Sequence, residues 1–307
     1  MRAVRIHRFG PPDVILIDDL PLPSPGSGEV LVRVAASGVG PWDALIREGK
    51  SKVSPKPPLT LGSDLSGTIE AVGPNVPDFN TGDEIYGVTN PQFCGANAEF
   101  AIASASMIAK KPERLTHLEA ASVPVIAVTA WQMLFEYARV AEGHRILVLG
   151  AAGNVGAYGV QLAANKGINI SATAGSKDIE FVRSLGADVV VDYQMGSFED
   201  VVAPVDAVID TVGGDTRERS FRAVKPGGIV VSVVSTEPVH QHSGIRAVFF
   251  YVEVTTSRLN TVSKMLDDGK LAPHVGTVLP LNEARRAHEM LAGAPHQRGK
   301  IALEVNG

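Results

Sequence analysis

The stretch Ile146–Gly156, which reads ILVLGAAGNVG, indicates the fold of this chain of 307 residues. A short apolar run of β type leads directly into a glycine-rich turn, and the residues after the turn are spaced as in an apolar helix. Gly150, Gly153 and Gly156 let the backbone approach an anion, although their spacing departs by one residue from G-x-G-x-x-G. The N-terminus of the following helix also favours negative charge. The stretch therefore predicts a pyrophosphate cradle; the alternative is a turn that only packs a helix on a strand.

The residues on either side of this loop alternate between strand and helix patterns. A helix is predicted over 129–139, and strands over 145–149, 169–174, 189–192, 206–210, 228–233 and 247–252. Parallel strands joined by helical crossovers form a doubly wound sheet. We therefore expect an α/β fold in which residues 123–272 form a Rossmann-type domain with a six-stranded parallel sheet.

The rest of the chain has the pattern of a second, β-rich domain. Up to about residue 122 short strands alternate with Pro/Gly turns, for example at Glu29–Ser37, Gly67–Val72, Glu84–Val88 and Ala98–Ile102. The strand and helix patterns near the end of the chain are expected to complete it. This domain is therefore assigned residues 1–122 and 273–307.

The composition argues against nucleic-acid and membrane partners. The formal net charge of -5 lacks the basic excess of nucleic-acid-binding proteins. The longest apolar run, Ala120–Phe135, contains Pro124 and is shorter than the roughly 20 residues that span a bilayer. The first residues, MRAVRIHRFG, lack the apolar core of a signal peptide. With Cys94 as the single cysteine, these features predict a cytoplasmic protein without an intrachain disulfide.

A second motif spans Gly62–Asp83 and reads G-x-D-x-x-G-x-I-x-x-V-G-x-x-V-x-x-F-x-x-G-D. It resembles the medium-chain dehydrogenase/reductase superfamily, and within it the zinc-free quinone oxidoreductase (zeta-crystallin-like) branch. Further matches to the family cover almost the whole chain, at Gly28–Arg33, Leu185–Asp188, Asp210–Gly214, Lys225–Gly228 and Arg298–Lys300. The resemblance implies a GroES-like catalytic domain beside the Rossmann-type domain.

The resemblance also implies that no metal is bound. Zinc-dependent members place metal ligands at positions that hold Gly40, Ser63 and Asp64 here, and a catalytic zinc needs three protein ligands. The pair His240 and His242 has a spacing that could bind a metal, but a solvated loop pair explains it as well.

The end of the second nucleotide-domain strand indicates which cofactor is bound. An acid there would accept hydrogen bonds from the ribose hydroxyl of NADH and repel the phosphate of NADPH. This chain instead has Ser176 and Lys177, which favour NADPH. The resemblance adds Tyr193 beside the same phosphate. The alternative for Ser176 is an N-cap of the helix that follows.

The remaining cofactor contacts are implied only by the resemblance. They are Thr129, Ala152, Gly153, Asn154, Val155, Val234, Phe250, Val252 and Lys300. The apolar run Val248–Val254 also reads as the last strand of an open sheet, and in this superfamily such a strand often pairs with its copy. We therefore expect a homodimer.

With NADPH and no metal, the accessible reaction is hydride delivery to an electron-poor acceptor such as a quinone. The acceptor is expected near Gly40–Asp43, in a cleft between the domains, with Trp42 and Phe93 as flat walls for a planar molecule. The branch commonly has an asparagine where Gly40 stands, which weakens the case for a quinone. The proton donor stays open among Asp43, Ser63 and water.

Two other functions stay open. One is reduction of α,β-unsaturated carbonyl compounds (enones or alkenals) by the same chemistry. The other is NADPH binding without catalysis, as in some members of the superfamily. The sequence contains no G-x-S-x-G elbow, so a serine hydrolase of that type is not expected.

Overall fold

Two units make up the fold of the computed structural model, which describes residues 1–53, 55–234 and 244–305. The first unit comprises Met1–Val125 and Val254–Gly307, and the second comprises Ile126–Glu253. The chain thus leaves the first unit once and returns to it.

The strands of the described residues follow the predicted pattern, in which a β-rich segment is succeeded by strands that alternate with helices. They are β1 (Arg2–Ile6), β2 (Ile15–Asp19), β3 (Glu29–Val39), β4 (Leu59–Thr60), β5 (Asp64–Val72), β6 (Glu84–Val88), β7 (Phe100–Ser104), β8 (Ile108–Lys110), β9 (Arg145–Leu149), β10 (Asn169–Ala174), β11 (Val189–Asp192), β12 (Val205–Asp210), β13 (Val224–Ser232), β14 (Arg246–Phe249), β15 (Val275–Pro280) and β16 (Lys300–Glu304).

Helices of the described residues occur in both units. They are α1 (Pro41–Arg47), α2 (His117–Ala121), α3 (Pro124–Trp131), α4 (Asn154–Ala164), α5 (Ile179–Ser184), α6 (Gly214–Ser220), α7 (Thr256–Asp267) and α8 (Ala284–Leu291). A π-helical segment, Gln132–Tyr137, continues α3, so the predicted helix over 129–139 is the second half of a longer helical segment.

The second unit is built on one parallel sheet. In its described part the strand order is β11-β10-β9-β12-β13-β14, and each neighbouring pair is parallel. This order reverses direction between β9 and β12, as in the Rossmann fold. The prediction of a six-stranded doubly wound sheet is confirmed. The last strand is shorter than predicted and ends at Phe249.

The first unit is β-rich and mainly antiparallel. One sheet has the order β2-β1-β4, and a larger sheet runs β15-β16-β3-β5-β6-β8, with β7 also paired to β3. Alternate residues of the long strands, such as Val30, Val32 and Val34, face a common apolar core. The late strand β16 pairs with β3, so the end of the chain completes this unit.

The boundary after the second unit differs from the predicted residue 272. Helix α7 belongs to the first unit, where the hydroxyl of Tyr86 donates to the carbonyl oxygen of Leu259 at 2.9 Å. The hydroxyl of Thr256 contacts the carbonyl oxygens of Ala105 and Ile108 at 3.0 and 2.7 Å. These bonds join residues far apart in sequence, so the alternation of strands and helices did not reveal them.

Candidate functional site

The glycine-rich loop lies at the carboxyl end of β9, where the strand order reverses. Helix α4 begins directly after it, with Gly153 as the N-cap residue. The first bond of the helix runs from Ala157 N to Gly153 O at 2.8 Å. The N–H groups of residues 154–156 therefore precede the helical ladder and are available to an anion.

The glycines of this loop are needed for its shape. Gly150 has a φ of +72°, and a Cβ atom there would lie 2.7 Å from Thr211 Oγ1. A Cβ atom on Gly156 would collide with the carbonyl oxygen of Gly150. Thr173 Oγ1 accepts a hydrogen bond from Gly150 N at 3.1 Å and holds the loop on β10. The loop thus both packs the helix on the strand and fits a pyrophosphate.

Ser176 does not cap a helix. Helix α5 starts at Ile179, has Asp178 at its N-cap and receives no side-chain cap. Instead, the Ser176 hydroxyl donates to the carboxylate of Asp192 at the end of β11, and Ser176 N donates to Gln194 Oε1 at 3.2 Å. The neighbouring strand therefore brings an acid to the tip of β10, which the sequence around residues 174–177 lacks.

Lys177 and Tyr193 are both exposed beside this contact. The Tyr193 side chain is 61% exposed, and its hydroxyl would lie 3.3 Å from a Cβ atom built on Gly175. Tyr193 therefore lies over the backbone turn that precedes Lys177. The structure brings the three predicted phosphate-binding residues to one corner of the nucleotide unit.

The other predicted cofactor residues have varied surroundings. Ala152, Gly153, Asn154 and Val155 form the loop and the first turn of α4. Thr129 is buried in α3, and Val234 lies exposed just after β13. Phe250 is buried and stacks on Tyr137 with ring centroids 4.2 Å apart, whereas Val252 is half-buried outside any strand. Contact of these residues with a cofactor stays a prediction.

In the first unit, Trp42 contacts both Ser63 and Lys300. Its indole Nε1 donates to Ser63 Oγ at 2.8 Å, and the Lys300 ammonium lies 4.0 Å from a Trp42 ring centroid. Trp42 and Phe93 are both half-buried against the apolar core of this unit. Phe93 has a φ of +56°, in the left-handed region that non-glycine residues rarely adopt.

Lys300 and Asp64 form a fully buried ion pair. The Lys300 ammonium lies 2.9 Å from Asp64 Oδ2, and both side chains are 0% exposed. The other carboxylate oxygen, Oδ1, accepts a hydrogen bond from Val125 N at 3.1 Å. A Cβ atom on Gly38 would lie 2.9 Å from Lys300 Cε, so this glycine makes room for the lysine. The sequence does not reveal this pair, because its members are 236 residues apart.

Asp43 is a buried acid in which one of the two carboxylate oxygens accepts a hydrogen bond. Its Oδ2 accepts a hydrogen bond from Gly40 N at 2.8 Å, whereas its Oδ1 has no hydrogen-bond partner among the described residues. Burial raises the pKa of Asp43 to about 7, although the charge of Lys300 acts in the opposite direction. The neighbouring charge of Asp64 raises it further. Asp43 is therefore largely protonated just below neutral pH.

Asp43→Asn is expected to stabilise the protein at alkaline pH more than at acidic pH. Between about pH 4 and the folded pKa of about 7, folded Asp43 holds a proton that the unfolded chain has released. The wild type therefore loses stability as the pH rises through this window, and the asparagine variant does not. The difference reaches up to about 4 kcal/mol, since one pKa unit corresponds to about 1.4 kcal/mol. Urea unfolding of both proteins at acidic and alkaline pH measures it, and a constant difference would contradict the assignment.

Histidines of the first unit contact charged groups without forming a metal site. His117 bonds to Ser66 and lies near Glu84, and His7 lies 2.8 Å from Asp18. Burial lowers the pKa of His288 to about 3, and its Nδ1 bonds to a guanidinium. Among residues 1–53, 55–234 and 244–305, no group of three His, Cys, Asp or Glu side chains could hold an ion. His240 and His242 lie outside the described residues.

We expect no stoichiometric zinc in the purified protein. At the three positions where the resemblance implies zinc ligands, Gly40 and Ser63 offer no ligand of the required type, and Asp64 is bonded to Lys300. Elemental analysis of the purified protein measures this directly. About one zinc per chain, together with loss of activity in a chelator, would overturn the expectation.

Comparison with known proteins places this chain in a family. The family model described as alcohol dehydrogenase GroES-like domain matches residues 26–113, and that described as zinc-binding dehydrogenase matches residues 185–303. Quinone oxidoreductase from Sus scrofa is 30% identical over 99% of this chain and 97% of its own length. The chain belongs to the medium-chain dehydrogenase/reductase superfamily, in its zinc-free quinone oxidoreductase branch.

Other similar proteins carry names that refer to different activities. A 2-methylene-furan-3-one reductase from Solanum lycopersicum is 33% identical over 89% of this chain and 71% of its own. The quinone oxidoreductase structure from Coxiella burnetii has a TM-score of 0.92 and 33% identity over 100% of this chain and 99% of that one. A mycobacterial structure complexed with NADPH has a TM-score of 0.87 and 29% identity over 99% and 100%.

The protein is therefore an oxidoreductase of the quinone or enone reductase type that binds a nicotinamide cofactor. The GroES-like and Rossmann-type units predicted from the sequence are confirmed. Within the described residues, no helix is long and apolar enough to cross a membrane.

Proposed function

We propose that this protein is an NADPH-dependent reductase of quinone-type acceptors. The observation that carries the proposal is the residue set at positions 40, 63 and 64. It offers a single carboxylate, already paired with Lys300, and therefore no set of ligands for a metal Lewis acid. Without such activation an electron-poor acceptor such as a quinone accepts a hydride more readily than a simple ketone does.

The second unit supplies the cofactor site in this proposal. The N–H groups at the start of α4 bind the pyrophosphate, and Ser176, Lys177 and Tyr193 surround the phosphate that distinguishes NADPH from NADH. A bound reduced nicotinamide supplies a hydride. A mycobacterial relative of similar fold was solved with NADPH, which supports this choice of cofactor.

The first unit supplies the surface for the acceptor in this proposal. Trp42 and Phe93 offer flat apolar faces. The buried Asp43 follows Trp42 in sequence and has a carboxyl group that is largely protonated just below neutral pH. The Lys300 ammonium lies 4.0 Å from a Trp42 ring centroid and stabilises the position of the indole. The similarity to 2-methylene-furan-3-one reductase favours enones as the second candidate class of acceptor.

Initial rates of NADPH oxidation with benzoquinone, naphthoquinone and methyl vinyl ketone test the proposal. We expect kcat/KM for the quinones to exceed that for the enone by at least about tenfold, or roughly 1.4 kcal/mol. The reverse order would assign an enone reductase. NADPH binding without oxidation by any of these acceptors would assign a non-catalytic NADPH-binding protein.

We further propose a cytoplasmic location, in keeping with the lone Cys94.

We also propose a homodimer that pairs the two copies of β14. This strand lies at the edge of the described parallel sheet, and Val248 and Phe249 are half-buried there. Light scattering at micromolar concentration should give twice the chain mass of 32.3 kDa. Val248→Lys should shift the protein toward the monomer, because a charged edge strand disfavours pairing. A monomeric wild type would refute the proposal.

A further inference from the structure

We propose that Trp42 decides which acceptors the enzyme prefers, by filling the space that a side chain at residue 40 would occupy. The indole then favours planar conjugated rings over small open-chain carbonyl compounds. This inference rests on the proposed function as a quinone-type reductase and names its specificity-determining residue.

The Trp42 ring and a side chain at residue 40 exclude each other. A Cβ atom built on Gly40 would lie 2.5 and 2.6 Å from Cζ3 and Cζ2 of Trp42 and would also collide with Cη2. The backbone of Gly40 is extended, with a φ of -137°, so any residue could adopt it. Asparagine would even be favoured at this N-cap position of α1. The glycine is therefore required by the indole and not by the backbone.

The indole is held in place on two sides. Its Nε1 is bonded to Ser63 Oγ at 2.8 Å, and Ser63 is fully buried. The Lys300 ammonium that approaches the ring is itself held by Asp64 at 2.9 Å. A ring fixed in this way stays over residue 40 and presents a defined surface.

The indole offers an apolar surface in the space where a polar side chain at residue 40 would offer a hydrogen bond. An asparagine amide at residue 40 could donate a hydrogen bond to a carbonyl oxygen of the acceptor. Tryptophan has a single donor, Nε1–H, and Ser63 already accepts it. Trp42 can therefore only stack on an acceptor, and stacking favours planar rings with a large conjugated surface.

A double-mutant cycle tests whether the two residues exclude each other. Gly40→Ala should lower the urea midpoint strongly in the wild type and only slightly in the Trp42→Leu background. Gly196→Ala is the matched control, because a Cβ atom there meets nothing within 4 Å. Equal losses in both backgrounds would show that the Trp42 ring does not occupy this space and would overturn the proposal.

Acceptor kinetics test the preference itself. Trp42→Leu should lower kcat/KM for naphthoquinone about tenfold more than kcat/KM for methyl vinyl ketone, whereas Trp42→Phe should retain most of the preference. In the double variant Gly40→Asn/Trp42→Leu, the ratio of kcat/KM for methyl vinyl ketone to kcat/KM for naphthoquinone should be higher than in the wild type. Equal changes for both acceptors would overturn the proposal.

A binding measurement separates failure of this inference from failure of the proposed function. The chain has two tryptophans, so Trp131→Phe leaves Trp42 as the only indole fluorophore. Titration with naphthoquinone should quench this fluorescence saturably, and Trp42→Phe, which retains Trp131, is the control for unspecific quenching. Absence of turnover in the wild type would refute the proposed function, whereas linear quenching equal to that of the control would refute the role of Trp42.

Discussion

Replacing Lys300 with methionine is expected to lower the free energy of unfolding by about 3 to 5 kcal/mol, as when one member of a buried ion pair is removed. The variant leaves the Asp64 carboxylate fully buried with only the bond from Val125 N. Burial already raises the pKa of Asp64, and Lys300 opposes that rise. Loss of the lysine should therefore raise the pKa further, so that the variant is least stable at alkaline pH.

Two further variants show whether burial of the pair causes this loss. In Asp64→Asn/Lys300→Met neither charge remains, and much of the stability should return. Lys110→Met breaks an exposed pair with Asp83, 3.8 Å long, and should cost less than about 1 kcal/mol. Urea unfolding of the three variants at neutral pH measures the differences. A loss in Lys300→Met no larger than that in Lys110→Met would contradict the expected dependence on burial.

Much of the nucleotide unit could be predicted from the sequence because its signals are local. The apolar run before Gly150 is a strand over the predicted residues, and β10 and β11 also have the predicted bounds. Their periodicity, and the glycines that follow β9 and β10, are contained within about ten residues, which is the range over which sequence patterns are informative.

The contacts that the sequence analysis missed join residues far apart along the chain. Asp64 meets Lys300, and Ser63 meets Trp42, only because strands and helices of the first unit bring them together. The acid beside Ser176 likewise comes from the neighbouring strand β11 and not from β10 itself. No spacing rule relates such residues, since their proximity depends on how the sheets are ordered.

Lys177→Ala is expected to weaken NADPH binding by about tenfold to hundredfold and to leave NADH binding nearly unchanged. A charge-assisted contact with the phosphate is worth about 1.5 to 3 kcal/mol, and exposure of Lys177 to water places the effect toward the lower value. Titration of both reduced cofactors against the wild type and the variant measures the ratio of the two dissociation constants.

Replacement of Asp192, at the same corner of the nucleotide unit, tests the opposite change in NADPH affinity. The carboxylate accepts a hydrogen bond from the Ser176 hydroxyl, and its negative charge would repel a nearby phosphate. Asp192→Asn should therefore tighten NADPH binding and have little effect on NADH binding. The two variants should therefore move the NADPH-to-NADH ratio in opposite directions, which a general loss of folding could not do. If Lys177 and Ser176 serve only the structure of this turn, both ratios will equal that of the wild type, and the assignment of the phosphate site to these residues is wrong.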